Sequence, residues 1–438
     1  MAGAPTNNTG PETLVPPAGA VATEVASKGS EAEAPSRARP ATVTRGRTRK
    51  RVSPRTSIPR VALLIESSRA AGRALLCGIA RYAHHHGPWS FYWEARGLEN
   101  PSPSALVLDA DGVIMRDTGQ VEQVLARGLP TVVVCHRHAE MDGVISVVTD
   151  GEVIGRLAAE HLLACGVRHF AFCGYKDCTW SESRWASFQQ RVAEAGFEAT
   201  VFRVQAEVTG APWQDQRPAI ARWLQTLPRP VGLMACNDDL GHEVVAACKL
   251  VGLSVPDDVA VIGADNDEVV CGLSDPPLSS VHINFEQAGY EAAEVLDRLM
   301  RRGRGETGRI LVRASHVVPR RSTDILAVDD PVLARGLQFI RDHAREPFLV
   351  DDVARAAGIS RRALEKRFRR FLGRSILHEI RRVRADQIAR MLVETDLPVS
   401  EIAQHLGFTD VQHVARYFRA AKHMSPLAWR KLYGRRPS

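Results

Sequence analysis

The sequence predicts an α/β region of two lobes followed by a small all-α domain built from two helix-turn-helix units. Three observations carry that prediction. Strand-like and helix-like segments alternate for about 260 residues from Arg60 onward. Two short patterns near the C-terminus, 350–368 and 399–418, each read as helix, glycine turn, helix. Charge divides along the chain: residues 1–60 carry 10 Lys+Arg against 4 Asp+Glu, residues 61–329 carry 25 against 34, and residues 330–438 carry 22 against 12. Basic ends flank an acidic middle, and the basic C-terminal end coincides with the helix-turn-helix patterns, as phosphate neutralisation requires.

Residues 1–57 are rich in Ala, Pro, Thr, Ser and Gly and lack the apolar periodicity of a core, so a disordered basic tail is expected. From Arg60 the strand-like runs are 61–65, 112–115, 131–135, 169–173, 232–235 and 259–263. Between them lie helix-like segments at 70–86, 121–127, 153–165, 185–194, 219–226 and 241–251. This alternation gives parallel sheets covered on both faces, and its length exceeds one ordinary doubly wound unit. Two lobes facing a cleft follow. Ligands in such folds bind beyond the carboxyl ends of the strands. Polar groups gather at several of those ends: Glu66, Arg116, His136, Asp150, Asn237 to Asp239, and Asp265 with Asn266.

In the C-terminal patterns, Gly358 and Gly407 permit the backbone turn between helices. Leu364, Phe368 and Phe371 in the first copy, and Val414, Tyr417 and Phe418 in the second, recur at helical spacing and form an inward face. The opposite faces are left for DNA. The expected boundaries are a tail at 1–57, a two-lobed α/β region at 58–322, a linker at 323–332 and a DNA-binding domain at 333–438.

No apolar run of about 18 residues and no signal-like apolar segment occurs, so no membrane partner and a cytoplasmic location are expected. Eight cysteines form no CxxC pair and read as reduced core residues. His84, His85 and His86 point in different directions on a helix and lack acidic or thiol partners at ligand spacing, so no metal is expected. Neither a phosphate-cradling glycine loop nor a nucleophile elbow occurs, so no cofactor and no catalytic residue are expected.

The middle of the chain resembles the LacI type of sensor, with its periplasmic-binding-protein-like fold. The likeness rests on residues 150–155, 161–163, 168–174, 237–239, 252–266 and 277–281, with Gly289. The C-terminal domain is similar to the AraC family of double helix-turn-helix readers, on Phe408, Arg416, Phe418, Ser425, Pro426, Trp429 and Arg430. Val414 stands where that family usually has an aromatic, and His423 where it has glycine. The joined arrangement, with stretches 183–186, 223–228, 320–324 and 339–344, resembles the XylR-type family of xylose operon regulators.

That resemblance implies a sugar-responsive activator of pentose catabolic genes, with a small sugar such as xylose as effector. Operator DNA, RNA polymerase and a second copy of the chain in a homodimer are the implied partners. It places Asp150, Arg184, Asn237 and Asp265 on the sugar, with Asp238 beside them and Trp185, or Trp180 or Trp213, as a stacking face. It places Arg362, Glu365 and Lys366 at base edges, beside Arg361, with Arg369 and Arg370 on phosphate. Val411, Gln412 and Arg416 match base-facing positions of the second helix, and the two helices should enter major-groove faces about one turn, roughly 34 Å, apart. Two alternatives stay open on sequence: a sugar-metabolising enzyme with an appended DNA module, and a DNA-binding protein whose middle region has lost its ligand.

Overall fold

The protein was analysed as a computed structural model that describes residues 58–94, 109–117, 121–136, 140–205, 216–302, 307–325 and 330–434. The expected tail at 1–57, Trp213 and part of the expected linker lie outside these residues.

The chain begins with β1 (Arg60–Leu64), α1 (Ala70–His86), β2 (Ser90–Trp93) and β3 (Gly112–Arg116). Next come α2 (Val121–Ala126), β4 (Thr131–Val134) and β5 (Ile145–Thr149). It then passes to α3 (Gly151–Ala164), β6 (His169–Lys176), α4 (Thr179–Glu194) and β7 (Ala199–Gln205). There follow α5 (Arg217–Thr226), β8 (Val231–Ala235), α6 (Asp238–Leu250), β9 (Val259–Asp265), α7 (Glu268–Leu273) and β10 (Ser279–Ile283). Helix α8 (Phe285–Arg302) and strands β11 (Gly308–Val312) and β12 (Ala314–Val318) complete the α/β region.

Two six-stranded sheets result, in the orders β11-β5-β4-β3-β1-β2 and β12-β10-β9-β8-β6-β7. Every pairing is parallel except that of β12 with β10. Strands β3 and β8 are buried at every residue, which explains why they read as continuous apolar runs rather than alternating ones. Strands β2, β5, β7, β10, β11 and β12 are not among the sequence-read strands. Most lie at or next to a sheet edge and carry polar or exposed residues that dilute the apolar signal.

Small residues set the helix packing. A Cβ added to Gly289 of α8 would lie 2.1 Å from the Leu75 carbonyl of α1, and one on Gly155 of α3 would lie 2.3 Å from the Arg184 carbonyl of α4. Helices α1 and α8 therefore cover the first sheet in backbone contact, and α3 and α4 do the same on the second.

Three crossovers join the lobes, between β5 and α3, between β10 and α8, and between β11 and β12. They lie side by side: the Asp150 amide donates to the Val312 carbonyl (3.0 Å) and the Asn284 amide to the Arg313 carbonyl (2.9 Å). This band, called the hinge below, joins the two sheets.

The C-terminal region is all helix: α9 (Pro331–Asp342), α10 (Val350–Ala357), α11 (Arg361–Leu372), α12 (Ile376–Glu394), α13 (Val399–His405), α14 (Val411–Lys422) and α15 (Pro426–Tyr433). Two small cores form, one around Leu337, Val353, Leu364 and Phe368 and one around Ile388, Ile402, Phe418 and Trp429. Helix α12 spans both, with Ile376 and Ile380 in the first core and Leu392 and Val393 in the second. Arg384, in its middle, donates to the carbonyls of Glu346 and Leu406, tying the two halves through otherwise unsatisfied backbone acceptors.

Helices α11 and α14 show the same succession of exposed and buried positions over 361–370 and 411–420. Ser360 and Asp410 cap their N-termini by accepting from Ala363 and His413 amides. Val414 fills the place that Leu364 fills in the first copy, fully buried in each case, so an aliphatic side chain suffices there. Their C-caps are both left-handed, Gly373 at φ 66° and His423 at φ 56°. Histidine thus takes a conformation that glycine adopts without strain. A His423→Gly variant should melt higher, by about 0.5–1 kcal/mol of stability, in a thermal or denaturant titration.

Candidate ligand cleft and nucleic-acid interface

The carboxyl ends of β1, β3 and β4 in the first lobe face the ends of β6, β8 and β9 in the second. Several contacts hold the lobes together. Arg69, just before α1, pairs with Asp239 of α6 at 2.9 Å. The Ala70 amide, at the N-terminus of α1, donates to Asp267 at 2.8 Å, where a carboxylate also meets the positive end of the helix dipole. Arg73 reaches the same carboxylate at 3.6 Å. These contacts bridge the cleft.

Within it, Arg184 of α4 is almost fully buried, donates to the Cys236 carbonyl and pairs with Asp265 at 3.3 Å. Its guanidinium lies over the Trp180 ring, 4.8 Å from the centroid. From the other lobe the His136 ring approaches Trp180 at 5.8 Å between centroids. Arg116 and Glu66 form a buried bidentate pair at 2.8 and 3.1 Å. Two buried donors, Arg184 Nε and Trp180 Nε1, find no acceptor among the described residues. Such donors are costly unless something accepts from them.

Asp265 ends β9 with φ 108° and Asn266 follows at φ 55°. Side chains rarely adopt these angles, and such strain collects at binding sites. The turn is held by Arg320, which donates to Asn266 at 2.8 Å, and by Ser280, which accepts from the Asn266 amide at 3.0 Å. Burial pushes the Asp265 carboxyl above the usual range, against the pull of the Arg184 guanidinium. Burial likewise raises Asp239, which Arg69 pulls back down.

The sequence-derived sugar residues separate into groups. Arg184 and Asp265 meet in the cleft. Asn237 stands at the N-terminus of α6, where its side-chain oxygen accepts from the Leu240 amide at 3.0 Å. Asp150 lies in the first crossover and caps α3 through the Val153 amide at 3.1 Å.

Two expectations need correction. Asp238 is buried and its carboxylate is already used, by the Ser280 hydroxyl at 2.6 Å and the Asp267 amide at 2.8 Å, so it shapes the turn from behind. Trp185 packs its ring into the core against Phe172 and Phe188, because α4 turns that position toward the sheet. Trp180 is the tryptophan that reaches the cleft. Arg69 and Asp267 escaped the sequence reading, although Asp267 directly before α7 has the form of a helix cap.

On the reader, Arg361, Arg362, Lys366, Arg369 and Arg370 lie on the exposed face of α11, and Val411, Gln412 and Arg416 on that of α14. Arg361 leans toward Asp351 at 3.6 Å, and Arg369 toward Glu365 at 3.1 Å. Glu365 departs from the expected base-facing role. It is half-buried, and its second oxygen accepts from the Ile376 amide at 3.2 Å, so it joins α11 to the start of α12. Gly358 (φ 73°) and Gly407 (φ 66°) make the left-handed turns into the two units.

Residues 159–323 match the periplasmic binding protein-like domain family, and residues 353–432 match a helix-turn-helix domain family. The xylose operon regulatory protein of Escherichia coli K12 is 33% identical over 382 residues, which is 85% of this chain and 96% of that protein. The chain belongs to the xylose operon regulatory protein family. The Haemophilus influenzae member is 26% identical over 380 residues, covering 85% of this chain and 98% of its own length. A solved structure of a xylose-binding transcription activator, xylR, is 32% identical, covers 87% of this chain and all of its own, and superposes with a TM-score of 0.55.

Members of this family are transcription regulators, and this chain is accordingly a DNA-binding transcription regulator and not an enzyme. Its fold has the family's two parts, a two-lobed periplasmic-binding-protein-like region and an all-helical AraC-type end. No helix among the described residues is long and apolar enough to cross a membrane.

Proposed function

We propose that this regulator binds an aldopentose, xylose foremost, in the interlobe cleft and activates pentose catabolic genes in response. The observation that carries the reading is the group, in one cleft, of two donors without an acceptor among the described residues and one strained acceptor: Arg184 Nε, Trp180 Nε1 and Asp265. A neutral polyol satisfies all three at once, since each sugar hydroxyl both donates and accepts. The family supplies the sugar, because the relatives are named for xylose. Asn237, at the start of α6, and Asp150, in the first crossover, are proposed to complete the contacts.

The reader is proposed to place α11 and α14 in successive major-groove faces, as a homodimer in the cytoplasm, where RNA polymerase is the further partner. Arg362, Lys366, Gln412, Val411 and Arg416 would address bases, and Arg361, Arg369 and Arg370 phosphates. A melting-shift panel of aldoses tests the ligand: a sugar that binds the folded state alone raises its stability. Xylose should give the largest shift, and a panel in which only acids or non-sugars act removes the assignment. For the reader, Arg362→Ala should cost about 1–3 kcal/mol at the selected operator and relax one base preference. Equal weakening on random duplex in a competition assay would place Arg362 on phosphate instead.

A further inference from the structure

The reader touches both lobes of the sensor at once. On the second lobe, Glu394 of α12 pairs with His316 of β12 at 3.2 Å, Arg390 donates to the Val317 carbonyl, and Arg341 of α9 donates to the Ala164 carbonyl at the end of α3. On the other side, the last turn of α15 lies on the hinge. Asn284 Nδ2, in the second crossover, donates to the Tyr433 carbonyl. Leu432 faces Gln287 and Glu291 of α8, Leu311 of β11 and Arg313, across a narrow gap. Tyr433 also lies within electrostatic reach of Arg313 in the third crossover and Asp150 in the first. Within one turn of helix, α15 therefore touches the second crossover, borders a gap lined by the third and lies in the electrostatic field of the first, the three segments that must twist when the lobes open or close.

We infer that α15 is a hinge clamp, so that the lobe angle and the docking of the reader form a single equilibrium. The reader's anchors on β12 and α3, made by α12 and α9, move with the second lobe. The contact of α15 at Asn284 and along α8 moves with the hinge and the first lobe. Rotation of one lobe against the other cannot keep both sets at hydrogen-bonding distance, and a packed contact responds by switching rather than stretching. The covalent joint from Arg320 to Asp330 is the competing route, since Arg320 holds Asn266 beside Asp265. The clamp differs from that route in one respect: it links the reader to the hinge without passing through the ligand.

The test needs no sugar, and so fails or succeeds separately from the proposed ligand. The full-length chain is bound to a duplex that it has itself selected from a random pool, and hydrogen exchange is followed in the peptides containing Asp150, Asn284 and Arg313. Asn284→Asp keeps the oxygen that caps α8 through the Gln287 amide at 3.0 Å and replaces the donor to Tyr433 by a carboxylate oxygen that repels that carbonyl. In the unaltered chain, duplex should change exchange at the hinge by at least about fivefold, the lower range of allosteric coupling. In Asn284→Asp that change should be lost while duplex is still bound. Leu432→Ala, on the reader side of the same contact, should act alike and serves if the first variant does not fold. A hinge that ignores duplex in the unaltered chain, or responds equally in both variants, would overturn the clamp and leave coupling to the joint.

Discussion

Asp265→Asn binds sugar at least about 30-fold more weakly, the cost of replacing a charged acceptor by a neutral one at a buried hydrogen bond, while its sugar-free affinity for operator is unchanged. The expectation rests on three features of one residue. Asp265 is paired with the almost fully buried Arg184 and sits in a strained turn, and the Arg184–Trp180 pair beside it holds two donors that find no acceptor among the described residues. Isothermal titration of the variant with sugar, beside its gel shift on operator, measures both quantities. A pH dependence follows. Burial holds the Asp265 carboxyl above the usual range, so it gains its proton at a higher pH than an exposed carboxylate. Sugar affinity should therefore weaken as pH falls through that raised range, and Asp265→Asn should be flat there.

Glu379→Ala unfolds the reader first, with a loss of about 3–5 kcal/mol, the usual cost of stranding one side of a buried ion pair. Glu379 lies at the first turn of α12, almost wholly buried, gripped by Arg382 at 2.7 Å and Arg374 at 2.6 Å. Burial alone would raise its carboxyl, but the two guanidiniums overcome that and hold it at about 2, below the ordinary 4.5. A carboxylate with a depressed native value stabilises the fold fully above the unfolded value and ceases to do so below the native one. The reader of the unaltered chain should thus lose this stability between about pH 4.5 and about pH 2. Acid titration of Glu379→Ala by circular dichroism should show that step missing. A variant that melts with the parent would mean that solvent, not Glu379, satisfies Arg374 and Arg382.

Long apolar runs and paired glycine turns made the architecture legible before any coordinates. Buried parallel strands such as β8, and β3 up to its terminal Arg116, read as unbroken apolar runs, and Gly358 and Gly407 stand where two helices must meet at a turn. The site was legible only in part. Arg184 and Asp265 were named through the family resemblance, but helix phase turns Trp185 into the core and Trp180 toward the cleft, since five positions on α4 rotate the side chain by roughly 140°. Asp238 and Glu365 look like free carboxylates in a sequence, and both are consumed by backbone amides that only the fold brings near. The contact of Asn284 with Tyr433 joins residues 149 positions apart, and no local pattern announces it.

Reciprocal titration tests the central claim most directly. Sugar affinity is measured on the full-length chain with and without saturating operator duplex, and operator affinity with and without saturating sugar. If the cleft controls the reader, the two ratios must be equal, and a coupling of about 5–150-fold is expected. Sugar that binds with the same affinity whether or not operator is present would contradict the account, since a ligand without differential affinity shifts no equilibrium.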